Sequence, residues 1–253
     1  MDNAFLVGMS RQVALERQLD IVANNIANLN TAGFKSTSAV FSEFMASSAR
    51  ENDFAPADAP VHFVIDRTAY RNFSQGPVQQ TGNPLDVAIN GDAFLSVQTP
   101  AGERFTRAGT LQINAAGQLV TPEGAVVNGD NGPIIFQATD RRISISADGR
   151  ISVLEGLTNV ESLRGKLRLV TFARPQQLQS EGSNLFSAPA GVAGQPATAA
   201  VSVMQGAVEG SNVNGVAEMT RMIEINRTYS MIANLMQTQS DPKNLDTLSA
   251  LPS

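Results

Sequence analysis

The chain has 253 residues and a net charge of −5, from 18 Lys and Arg against 23 Asp and Glu. It holds no Cys and a single His, which excludes thiol nucleophiles, disulfides, Cys-ligated zinc or iron–sulfur sites and any multi-His metal site. Apolar residues at 42% supply a sizeable core for one large or two small domains, and the acidic balance opposes a general nucleic-acid binder.

At the N-terminus, Met1-Asp2-Asn3 is acidic where a secretory leader is basic, and the apolar stretch Ala4 to Met9 stops at Ser10-Arg11. No cleavable signal peptide is expected, and no apolar run approaches the roughly 18 residues that span a bilayer. Leu15, Leu19, Val22, Ile26 and Leu29 then step by 4, 3, 4 and 3, the seam of an amphipathic helix close to a heptad. That seam packs either on its own domain's core or against another helix. The helix is expected from about residue 4 to 30, roughly 40 Å at the helical rise. Gly33 suits a left-handed cap, with Phe34 folding back onto the last turn. Asn24, Asn25 and Asn28 stand out in this helix because Asn is a poor helix former. They form an exposed polar face, or they bond to a neighbouring helix and set its register.

Residues 46–76 read as an extended connector with one or two strands. From there to about residue 205 the pattern is β. Leu85, Val87 and Ile89 alternate before the turn Asn90-Gly91-Asp92; Ala93, Leu95 and Val97 follow, with Phe94 on the other face. Ile143 and Ile145, Ile151 and Val153, and Leu167 to Phe172 continue the series. Turn residues recur about every 8–12 positions, as in an antiparallel sandwich or barrel. Ala188 to Ala200 reads as a loop. Helical spacing returns with Met222, Ile225, Tyr229, Ile232 and Met236, widened by the ridge Val216, Met219 and Ile223. Ser211, Asn212 and Asn214 are candidate N-caps. Pro242 ends or kinks this helix, and the tail from Lys243 to Ser253 reads as a short helical turn or a frayed end.

Catalytic constellations are missing. His62, the one imidazole, lies in the connector, far from any nucleophile elbow. Phosphate-binding glycine loops are absent. Gly129-Asp130-Asn131-Gly132 reads as a plain turn, Asp86 and Asp92 as solvated strand-end charges, and Arg141-Arg142 and Arg164-x-Lys166-x-Arg168 as solvated strand faces. Nothing calls for a cofactor.

Three blocks resemble one family, the bacterial flagellar rod and hook proteins. Ala23-Asn24-Asn25-Ile26-Ala27-Asn28-Leu29-Asn30-Thr31-Ala32-Gly33-Phe34-Lys35 resembles its N-terminal signature. Thr81-Gly82-Asn83-Pro84-Leu85-Asp86-Val87-Ala88-Ile89-Asn90-Gly91-Asp92 and Phe105-Thr106-Arg107-Ala108-Gly109 resemble elements of its β domain. Gly210-Ser211-Asn212-Val213-Asn214, with Glu218-Met219 and Met222-Ile223, resembles its C-terminal signature. The likeness runs from residue 1 to about 236. Gly132-Pro133-Ile134, Ser146-Ala147-Asp148-Gly149 and Asn184-Leu185-Phe186 are more similar to proximal-rod than to distal-rod members.

The resemblance implies an α+β fold: long N- and C-terminal helices form a coiled-coil-like inner domain, with a central antiparallel β-rich outer domain. The expected division is 1–45 inner helix, 46–76 connector, 77–205 β domain and 206–253 inner helix. It also implies a structural subunit without catalysis, self-assembling into a tubular drive shaft that transmits torque and houses the export channel. Its partners would be copies of itself, adjacent proximal and distal rod subunits and the flagellar type III export apparatus, with no nucleic acid, small-molecule substrate or membrane embedding. Its place would be the periplasmic rod of the basal body. The expected assembly residues are Leu15, Leu19, Val22, Asn24, Asn25, Ile26, Asn28, Leu29, Gly33, Phe34, Met219, Met222, Ile223, Ile225, Tyr229, Ile232 and Met236. A distal-rod subunit and a secreted β-rich binding module are the alternatives.

Overall fold

The computed structural model describes residues 2–46, 61–156, 160–198 and 200–240. The part of the connector over 47–60, and the tail beyond 240 with Pro242, lie outside the described residues. The chain opens with α1 (Asp2–Ala27), followed by β1 (Thr37–Ala46) and β2 (Val61–Arg71), which pair as a ribbon. Next come β3 (Val78–Gln80), β4 (Val87–Asn90), β5 (Ala93–Thr99) and β6 (Gly102–Thr106). Short strands follow: β7 (Gln112–Ile113), β8 (Leu119–Val120), β9 (Val126–Gly129) and β10 (Gly132–Pro133). β11 (Asp140–Ile145), β12 (Arg150–Glu155) and β13 (Val160–Lys166) make a three-stranded sheet. β14 (Leu169–Thr171), β15 (Gln179–Gly182), β16 (Leu185–Ser187), β17 (Gln195–Pro196), β18 (Ser202–Gln205) and β19 (Ala207–Glu209) lead into α2 (Gly215–Ser240).

Two compact units result: residues 1–27, 37–70 and 214–253 form one, and residues 28–36 with 71–213 the other. In the first, α1 packs against both α2 and β1. Val22 is buried, and Gln18, Ile21, Val22, Ser38, Ala39 and Arg221 surround a small cleft where helix and strand meet. Gly8 lies against Met236: a Cβ there would come within 3.1 Å of the thioether sulfur. Among the three expected caps, Asn214 takes the role, its Oδ1 accepting from Ala217 N at 3.2 Å.

This corrects the expectation of a coiled-coil-like inner domain. Among the described residues there are two α-helices, the body is mostly β, and α1 shares its unit with a strand ribbon. A 3–4 spacing reports which helix face is apolar. It does not report whether a helix or a strand covers that face.

In the second unit a ten-stranded sheet runs β15-β16-β6-β5-β9-β8-β7, with β14 also on β5. β5 is buried on both faces from Ala93 to Val97. Its alternation sends Ala93, Leu95 and Val97 into one aliphatic core, with Ile134, Ile151 and Leu167. Phe94 enters a second core with Phe105, Val170, Phe172 and Phe186. Phe94 meets Phe172 edge-on at 5.8 Å and Phe105 meets Phe172 at 4.8 Å, the tilted geometry that ring quadrupoles favour.

Candidate assembly site

The Asn-rich motif divides at the end of α1. Asn25 is 1% exposed and pairs with the backbone of Thr37: Nδ2 donates to Thr37 O at 2.9 Å and Thr37 N donates to Oδ1 at 3.0 Å. The amide thus stands in for a strand partner at the start of β1, and its hydrogen bonds stay inside its own unit. Asn24 is exposed. Asn28 closes the turn after the helix, accepting from Thr31 Oγ1 at 3.1 Å.

Residues 28–36 belong to the β-rich unit. Gly33 has φ +69°, as the cap reading expects, and its N–H donates to Glu209 O at 2.7 Å. Only hydrogen fits at its α-carbon, because a Cβ would stand 2.4 Å from the backbone of Arg107 and Ala108. Phe34 and Lys35 are buried. Lys35 Nζ donates to Glu209 Oε1 at 2.6 Å and to Ser74 O at 2.7 Å. Glu209 Oε1 also accepts from Gly76 N at 2.8 Å.

Arg107 completes a buried triad. Its Nε faces Glu209 Oε2 at 3.3 Å, a Coulombic contact without the alignment of a hydrogen bond. Its guanidinium donates to Gly91 O and Ala93 O, both at 2.6 Å, and lies over the Phe94 ring. Burial pushes the Lys35 amine below the ordinary lysine value, against the opposing pull of the Glu209 carboxylate. The Arg107 guanidinium is lowered by burial too, again opposed by Glu209. Lys35 and Arg107 stand in motifs quoted above, but those motifs carry no sign of a pairing. Glu209 was missed; the one trace of it is an acid in the otherwise apolar run Ala207-Val208-Glu209.

Two other readings change. Asp86 is 5% exposed and accepts from Thr81 Oγ1 at 2.7 Å and Asn83 Nδ2 at 2.9 Å, so it organises a turn and is not a solvated charge. Arg164 is held by Asp140 through bonds of 2.7 and 2.5 Å, which raises the guanidinium and holds the carboxyl below the usual carboxylate range.

The helix faces sort the remaining expected residues. Ile225 is buried; Met222, Tyr229, Ile232 and Met236 are half-buried along the same seam of α2. On α1, Leu15, Leu19 and Ile26 are half-buried, as is Leu29 just beyond it. Met219 and Ile223 point away from that seam and are 52% and 54% exposed. Val216, Met231 and Leu235, at 79%, 63% and 59%, extend this outer apolar surface. Val13 on α1 is also exposed. Among the described residues, no helix is long and apolar enough to cross a membrane, and no cluster of His, Asp and Glu is placed to hold a metal.

Three family models match the chain. Residues 5–35 match the flagella basal body rod protein, residues 88–153 the flagellar hook protein FlgE/F/G D1 domain, and residues 204–251 the flagellar basal body rod FlgEFG protein C-terminal region. The flagellar basal-body rod protein FlgF of Caulobacter vibrioides is 42% identical over 95% of both chains. FlgF of Mesorhizobium japonicum is 34% identical over 94% of this chain and 93% of that one. The rod protein FlgG of Bacillus subtilis is 30% identical over 92% and 94%.

Proposed function

The chain belongs to the flagellar basal-body rod protein family, a structural and non-enzymatic one, and we propose that it enters the rod through the outer faces of α1 and α2. The observation that carries this reading is the outer apolar surface of α2. Val216, Met219, Ile223, Met231 and Leu235 are each more than half exposed, on a helix whose other seam is already packed. Burying such a side chain contributes about 1.5–3 kcal/mol, so a stripe of them favours association. The partners are copies of this chain and adjacent rod subunits, and the product is a shaft that transmits torque around an export channel. Passage through the flagellar type III apparatus and a periplasmic position belong to the same reading. The greater likeness to the FlgF relatives favours the proximal rod over the distal rod.

Ile223→Asp tests it. The substitution adds a charge to an exposed site, so the purified chain keeps its melting temperature, while cells carrying it are non-motile with truncated rods. Wild-type motility sinks the reading. Electron microscopy of basal bodies carrying a tagged chain separates proximal from distal by where the tag sits along the axis.

A further inference from the structure

Long-range contacts in the β-rich unit are nested. β18 pairs with β4 from Ser202↔Asn90 to Gln205↔Val87. β19 pairs with β3 from Ala207↔Gln80 to Glu209↔Val78. Gly210 N then donates to Pro77 O, and Gly76 N to the Glu209 carboxylate, 133 residues away. Residues 28–36 are outermost. Lys35 reaches Glu209 across 174 residues, and Ser36 N donates to Asn212 Oδ1 across 176. Asn212 Nδ2 in turn donates to Asn72 O and Ser74 O.

The seat for Lys35 is therefore composite. Ser74 O comes from one stretch and the Glu209 carboxylate from another, and pairing of β3 with β19 brings the two together. Without that carboxylate, docking would bury an ammonium beside another cation, Arg107, and an unpaired buried charge is strongly disfavoured. Closing a long loop also costs entropy before its contacts repay it. We propose that residues 28–36 are a clasp. They dock last, onto a seat that β4–β18 and β3–β19 pairing completes, and they release first when the unit opens. The clasp closes directly on residues 207–212: Gly33 N donates to Glu209 O, and Asn212 N donates to Phe34 O.

Pulse-labelling hydrogen exchange during refolding of the full chain from urea tests this, read peptide by peptide in a mass spectrometer. Peptides of β5 and β6 gain protection first. Those covering β3 and 207–212 follow as the seat forms, and those covering 28–36 gain protection last. Protection of 28–36 in the same phase as β5 and β6, or before 207–212, overturns the proposal. Lys35→Met gives a second reading in the same chain. Unfolding accelerates about tenfold or more while folding stays within about twofold, the signature of a contact absent from the transition state. Folding slowed about tenfold with unfolding unchanged overturns the proposal. The wild-type labelling decides alone if the variant does not fold.

Discussion

Adding one methyl group at Gly33 separates backbone strain from steric overlap, because a matched control exists in the same unit. Gly33 and Gly82 have φ values of +69° and +73°. A Cβ at Gly82 meets nothing within 4 Å, whereas one at Gly33 would lie 2.4 Å from the carbonyl carbon of Arg107 and from the amide nitrogen of Ala108. Left-handed backbone costs an L-residue about 1–2 kcal/mol. The stiffer unfolded chain returns about 0.4–1 kcal/mol of that, so Gly82→Ala should cost about 1 kcal/mol. Gly33→Ala carries the same strain plus overpacking against backbone, about 1–3 kcal/mol more. The total is about 2–4 kcal/mol. Urea unfolding of the full chain, followed by hydrogen-exchange protection of β5 and β6 peptides, reads this unit. With a slope near 2 kcal/mol per molar, the midpoint falls by about 1–2 M for Gly33→Ala and about 0.5 M for Gly82→Ala. Equal losses at the two sites would refute the steric account and reduce Gly33 to a helix cap.

Asn25→Ala removes both hydrogen bonds to Thr37 and should cost about 2–3 kcal/mol, at roughly 1 kcal/mol per bond plus partial desolvation; an unchanged exchange rate at the Thr37 amide would contradict this. Ile225→Asp places a carboxylate at a site 5% exposed and should melt the helical unit, by circular dichroism, where Ile223→Asp leaves it intact. Equal melting of the two variants would mean the seam is misassigned. The Asp140 carboxyl is held below its usual range by Arg164. Its contribution to stability is fully present above the unfolded value and is lost as pH falls through the folded one. Wild type should therefore lose more stability than Asp140→Asn between about pH 4 and pH 2. Parallel acid profiles would show that the pair contributes nothing.

Spacing alone located both helices and the β middle, because 3–4 and 2-residue periodicities are local properties of the chain. The strand covering of α1 was not legible. Val22 lines one cleft with strand residues Ser38 and Ala39, and an apolar face carries no mark of its neighbour. Asn25 stands out in the sequence as a costly helix residue, yet its partner is the backbone of Thr37, and backbone groups leave no trace in a sequence. The cap conformation of Gly33 was readable from residue type, whereas its contact with Arg107 depends on a closure across more than seventy positions. Lys35 and Glu209 are the extreme case. Each resembles a surface charge, and only the folded chain brings them to 2.6 Å with both side chains fully buried.

The Lys35–Glu209–Arg107 triad also divides the molecule by its response to ionic strength. Counter-ions at physiological salt weaken interactions between exposed charges, most fully beyond about 8 Å, and the side chains of Arg150, Asp148, Lys166 and Asp130 lie open to them. No such ion reaches a carboxylate and two cations enclosed at 0–2% exposure. Dilution or concentration of the surrounding medium therefore tunes how the charged outer surfaces meet their neighbours, while the enclosed triad is left unchanged.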